Sequence, residues 1–285
     1  MEPMRAILLP GAVLPAQEAY GALIEALGPD VQAVAKDLEL YTEDEPPPGW
    51  SLDTEVSGVL READALGWET FHLVGYSGGG AAALAFAAKH PERLLSLALL
   101  EPAWAGTWDW SPAHAEIWKK YEQLEALPPE QLMPAFMRLG VKPDVVLPPP
   151  PPGPPPPWMA RRPAGIKAFL RTFRSYDLDR ERLAAFSPPV FCALGGLSNP
   201  DDYGEIVGRL ARVFFPDFHL EVFAKRHHFD PPHRMEPVRL AEMLRRHWEQ
   251  AEGNPGARPA NPGAQPRVTL ESSTDEILDG PRGDR

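Results

Sequence analysis

The chain has 285 residues, 44% of them hydrophobic, enough to bury a full core and still carry an insertion or a tail. Its formal net charge of −12 opposes the counterion release that drives proteins onto phosphate backbones, which argues against nucleic acid as a partner. The single cysteine, Cys192, stands in the apolar run Val190, Phe191, Cys192, Ala193, Leu194, so no internal disulfide can form and a buried thiol in a reducing, cytoplasmic setting is expected.

Along the chain, residues 6–16 are apolar, but Pro10 and Gly11 interrupt them and Glu2 precedes them, which fits a first strand and its loop better than a signal peptide. No run approaches the roughly 18 unbroken apolar residues of a membrane span, so a membrane is not an expected partner either. Short apolar runs at 5–9, 31–35, 71–76, 95–100, 190–194 and 219–223 predict six buried strands. Apolar residues recur at helical spacing in 17–27, 51–66, 78–89, 202–213 and 237–248. This alternation predicts an α/β fold, a mostly parallel sheet with helices on both faces, built from residues 1–101 and 187–252.

The alternation breaks across 102–186, which reads as an inserted, mainly helical cap. It holds Trp104, Trp108, Trp110, Trp118 and Trp158, and so much aromatic surface must be buried, either in the cap's own core or as the wall of an apolar pocket. Nine of the ten residues from 148 to 157 are proline, predicting a stiff polyproline II connector. From 253 to 285, Pro, Gly, Asn and charged residues replace any hydrophobic period, so a disordered tail is expected.

The most informative segment is Gly75, Tyr76, Ser77, Gly78, Gly79, set directly after a predicted strand and directly before an alanine-rich predicted helix. A serine hydroxyl is a poor nucleophile until a tight turn presents it to a base and to backbone donors, and such a turn needs glycines where side chains would clash. Ser77 is therefore the candidate nucleophile.

With this elbow, and with His90, Pro91, Glu92, Arg93 leading into the next apolar run, the chain resembles the α/β-hydrolase superfamily over about residues 5–250. The resemblance implies a serine, histidine and acid triad at the strand C-termini and usually no cofactor. It implies an oxyanion hole from two backbone N–H groups, that of Gly78 and one from the loop after the first strand, where Ala12 is the expected donor and Pro10 replaces the usual histidine. It also implies a late histidine as base: His228, followed by Phe229, with His227 as the runner-up. A metal cluster of His227, His228, Asp230 and His233 is the rival reading, disfavoured by the stiffness of Pro231 and Pro232 and by the absence of HExxH spacing.

The acid departs from the family pattern, because Ser198 stands where an aspartate is usual. Two choices remain: Glu101, at the end of the strand after the elbow helix, or Asp201 or Asp202 further along the late loop. A strand-end carboxylate is held by the sheet, which favours Glu101. The reading that results is a hydrolase of a small, partly apolar ester, thioester or lactone acting through an acyl-enzyme. A non-hydrolytic lyase or a ligand-binding protein on the same scaffold is the alternative. The serine nucleophile rules against dehalogenation. The cap arginines Arg161, Arg162, Arg171 and Arg174 are either receptors for a substrate carboxylate or a solvated helix face.

Overall fold

Each central strand is a short, nearly continuous apolar run because both faces of the sheet are covered. The computed structural model describes residues 3–149, 152–253 and 267–268. In chain order come β1 (Met4–Leu9), α1 (Ala16–Leu27), β2 (Val31–Ala35), α2 (Leu52–Ala65), β3 (Phe71–Tyr76), α3 (Gly78–Lys89) and β4 (Leu94–Leu100). Helices α4 (Pro112–Gln123), α5 (Pro129–Leu139), α6 (Arg162–Ser175) and α7 (Arg180–Ala184) follow. The core then resumes with β5 (Val190–Gly195), α8 (Glu205–Val213), β6 (Phe218–Phe223), α9 (Pro232–Met235) and α10 (Pro237–Gly253).

The strands pair in the order β2-β1-β3-β4-β5-β6, all parallel. Arg267–Val268 adds a two-residue parallel strand, β7, beside β6. Those two residues differ from the disordered tail expected there, because the outer edge of β6 offers backbone groups that a passing chain can pair. The rest of the tail expectation, 254–266 and 269–285, lies outside the described residues, as do residues 150 and 151 of the proline run.

Successive side chains of a strand point to opposite faces, and the two cores follow that period. Leu8, Val74 and Phe191 meet Tyr20 and Leu23 of α1 and Leu240 and Trp248 of α10. Ile7, Leu9, Leu73 and Leu99 face α2, α3 and α8 on the other side. Helix α2 begins at a capping box in which Ser51 and Thr54 satisfy each other's backbone. Helix α3 is buried from Gly78 to Ala88, and its alanines let it lie close against the sheet while α2 and the cap close over it. The helix expected at 202–213 divides into a π-helical turn, Pro200–Gly204, and α8; the Asn199 side chain accepts from the Asp201 N–H at the turn's start.

Between β4 and β5 no strand is found among the described residues, and Ile117, Tyr121, Leu132, Ile166 and Phe169 from these helices join the second core. Asn199 ties this helical layer to the loop after β5: its side-chain amide donates to the Leu139 carbonyl at 2.7 Å and its backbone N–H to Gly140 at 3.1 Å. Trp104 and Trp108 pack ring to ring at 4.6 Å and both stack on Phe214, while Arg209 covers Trp108 and Trp110.

Candidate active site

The elbow is built by close backbone approach. Ser77 has φ 54° and ψ −120°, a conformation that costs a non-glycine residue on the order of 1–3 kcal/mol and persists only where its surroundings over-determine it. Those surroundings are explicit. Its N–H donates to the Leu100 carbonyl at 3.2 Å, and its own carbonyl accepts from Gly80 and Ala103, each at 2.9 Å. A Cβ on Gly75 would stand 2.5 Å from the Gly79 carbonyl oxygen, and one on Gly79 would stand 2.3 Å from that of Pro10. Glycine is required at both for the helix to start this near the sheet.

His228, on the loop after β6, places Nε2 3.0 Å from Ser77 Oγ. Its Nδ1 faces Glu101 Oε2 at 3.5 Å. That separation is long for a hydrogen bond, yet both atoms are buried and neither has another hydrogen-bond partner, so each is aimed at the other. Glu101 is fixed at the end of β4: its N–H donates to the Ala193 carbonyl at 3.0 Å, and its Oε1 accepts from the Gly195 N–H at 2.9 Å. It also has positive φ, 45°, so the serine and the carboxylate that flank the imidazole are both held in an uncommon backbone region.

The other acid candidates lie elsewhere. The Asp202 carboxyl accepts from the Tyr121 hydroxyl at 2.8 Å, and the Asp201 carbonyl accepts from His114 Nδ1 at 2.9 Å. Burial, helped by the nearby Glu101 and Glu205 carboxylates, pushes the Asp202 carboxyl up to about 7. His227 is turned away from the serine, its Nδ1 accepting from the Phe229 N–H at 3.2 Å. The members of the rival metal cluster are dispersed: Asp230 pairs with Arg226 at 3.0 Å, and the His233 ring is buried 4.9 Å from that of Tyr20 and 4.7 Å from that of Tyr76. Among the described residues no group of three or more His, Cys, Asp or Glu is placed to hold a metal ion.

Ala12, Ser77 and Gly78 line one wall of a cavity of about 40 Å³. Trp104 and Trp118 face them with Phe169 and Phe173 of α6, and Tyr203 and Asp202 complete the wall. The cap tryptophans therefore divide: Trp108 and Trp110 lie under Arg209, whereas Trp104 and Trp118 reach the cavity, Trp104 also stacking on Phe214. None of the four cap arginines is in the lining. Arg161 pairs with Asp44, Arg171 with Glu125 and Arg174 with Glu122, at 2.9, 3.7 and 3.4 Å. The Arg162 guanidinium lies 3.9 Å over the Tyr41 ring.

Several supporting groups were not found from the sequence. The Tyr203 ring stacks on His228 at 3.9 Å, and the Tyr76 hydroxyl donates to the His228 carbonyl, so the residue between Gly75 and Ser77 steadies the loop that carries His228. The Tyr41 hydroxyl donates to the Ala12 carbonyl at 2.7 Å. The turn carrying Tyr41 is held by the buried Glu55 carboxylate, which accepts from the backbone of Glu39 and Leu40 and from the Trp50 indole. The tyrosine inside the elbow was the one available signal; the others depend on contacts between residues distant in sequence.

A family model described as alpha/beta hydrolase fold matches residues 41–129. The chain is 46% identical over 115 residues to a 2-hydroxy-6-oxo-6-phenylhexa-2,4-dienoate hydrolase of Comamonas testosteroni, a match spanning 40% of this chain and 39% of that relative. Among solved structures it resembles a meta-cleavage product hydrolase from Pseudomonas fluorescens, with TM-score 0.61 and 17% identity over 88% of this chain and 92% of that one. It also resembles a thermophilic esterase from Thermogutta terrifontis, with TM-score 0.59 and 20% identity over 87% and 90%. At such identities the likeness is one of fold. With the strand order, the serine elbow after β3 and these likenesses in agreement, the chain has the α/β-hydrolase fold.

Proposed function

We propose that the protein is a serine hydrolase that opens an ester-type bond, carboxylic ester, thioester or lactone, of a small and partly apolar substrate. The observation that carries this reading is the 3.0 Å approach of His228 Nε2 to Ser77 Oγ, with the other ring nitrogen aimed at the buried Glu101 carboxylate. In this reading the imidazole takes the Ser77 proton as Oγ attacks the carbonyl carbon, then gives it to the departing alcohol, thiol or opened-ring oxygen. Glu101 sets the tautomer and stabilises the imidazolium. The Ala12 and Gly78 N–H groups receive the oxyanion, an effect worth about 3 kcal/mol per donor. Water then attacks the acyl-enzyme along the same proton route.

The single buried cysteine, Cys192, fits a reducing compartment, and we place the protein in the cytoplasm. No helix among the described residues is long and apolar enough to cross a membrane. The dienoate-hydrolase relative suggests a second reading, cleavage of a dienoate. Against it, the cavity lining holds Asp202 and no basic side chain to meet a carboxylate.

A fluorophosphonate probe and short nitrophenyl esters test the first reading. Labelling and turnover that vanish in Ser77→Ala support it, whereas a Ser77 that neither labels nor turns over any ester points to the lyase or ligand-binding alternative.

A further inference from the structure

We propose that Asp202 is the polar recognition group of the substrate cavity and selects a short acyl chain bearing a hydroxyl group, while rejecting one bearing a carboxylate. The inference deepens the hydrolase reading and rests on it for the identity of the bound group as an acyl chain.

The cavity wall opposite Ser77 is aromatic and aliphatic, and into it comes one carboxyl group. Asp202 is 4% exposed, and burial of a carboxyl without use is costly, so its partners matter. Oδ2 accepts from the Tyr121 hydroxyl at 2.8 Å. Oδ1 stands 3.9 Å from His114 Nδ1, beyond hydrogen-bond reach, and that nitrogen is already given to the Asp201 carbonyl. The carboxyl therefore has acceptor capacity left in a wall that otherwise offers hydrocarbon.

A hydroxyl on the acyl chain complements it in either protonation state, donating to the carboxylate or accepting from the acid. A substrate carboxylate would meet like charge in an apolar wall whenever Asp202 is ionised, and no basic side chain is present in the lining to offset it. Trp104 lines the same wall through its ring, and its indole Nε1 is buried without a hydrogen-bond partner. The cavity, about 40 Å³, has room for a short chain beside Ser77.

The test compares kcat/KM for the nitrophenyl esters of butyrate, 3-hydroxybutyrate and hemisuccinate in the wild type, Asp202→Asn and Asp202→Leu, with thermal melts to show that both variants fold. The wild type is expected to prefer the hydroxybutyrate to the butyrate ester by about tenfold and to disfavour the hemisuccinate by at least as much. Asp202→Leu should erase the first preference and Asp202→Asn the second. Ratios equal in all three proteins overturn the proposal. Binding of 3-hydroxybutyramide, butyramide and succinamate to Ser77→Ala, followed by NMR with and without Asp202→Leu, reads the same selectivity without turnover. An Asp202-dependent preference there, with no ester hydrolysed by the wild type, would sink the hydrolase reading alone. Ester hydrolysis with equal affinities would sink this proposal alone.

Discussion

The strand ends and the cap wall meet across the same small cavity but are positioned by different means. At the strand ends the backbone does the positioning: Ser77, Glu101 and Ala103 are each tied to a neighbouring strand or turn by main-chain hydrogen bonds, and Tyr76 reaches the carbonyl of His228. Opposite them the wall is set by packing. Phe169 lies edge-on to Trp50 at 4.9 Å and tilted against Phe173 at 5.2 Å, and Trp118 meets Phe173 at 6.4 Å. Hydrogen-bonded backbone fixes atoms to within fractions of an ångström, as bond-making chemistry needs, whereas packed side chains can be exchanged at modest cost and so suit selection among substrates.

Breaking the strand-end side should have the largest effect. Ser77→Ala is expected to lower ester kcat/KM by a factor on the order of 10³ or more, with a melting temperature close to wild type, checked by kinetics on a preparation free of other esterases. Glu101→Gln removes the charge that faces His228 and should lower kcat by roughly 10³-fold. Asp201→Asn, whose contribution to the site is a backbone carbonyl, should cost less than threefold. A large loss in Asp201→Asn with a small one in Glu101→Gln would reverse the assignment.

Two milder changes sharpen the contrast. Tyr41→Phe deletes the hydroxyl that holds the Ala12 carbonyl and should lower kcat by about tenfold with little change in KM, since the oxyanion loop loses orientation rather than substrate contact. Phe169→Leu alters the cap wall where its ring would lie 2.6 Å from a Cβ on Gly78. There the expected change is in KM, by several-fold, with kcat nearly kept.

The smallest effect at neutral pH comes from His233, buried between Tyr20 and Tyr76 with its ring held down to about 3 by desolvation. Because its folded pKa lies below the unfolded value near 6.5, the unfolded state binds the proton more readily. The stability it contributes is present above pH 6.5 and lost as pH falls toward 3. His233→Phe should flatten the decline in melting temperature across that window while leaving ester kinetics at pH 7 within a few-fold. An unchanged acid profile would show that other buried histidines, such as His72 and His247, carry the effect.

The amino-acid sequence by itself determined the fold and marked the elbow serine at the strand ends. Unbroken apolar runs such as that of β5 and an alanine-rich segment after Gly78 allow few arrangements other than a covered parallel sheet, and a serine between closely spaced glycines at a strand-to-helix junction is a local signal. Ser77, singled out on such grounds, and His228, implied by the resemblance to the α/β-hydrolases, place Oγ and Nε2 3.0 Å apart. Which of Glu101, Asp201 and Asp202 faces His228 appears only in three dimensions. Two of them sit within one short loop, and what separates their roles is which side chains from α4 arrive beside them, Tyr121 at Asp202 and His114 at Asp201. The cavity wall was equally hidden, because Trp104, Trp118, Phe169 and Tyr203 are brought together by helix packing, and packing leaves no periodic trace between residues so far apart along the chain.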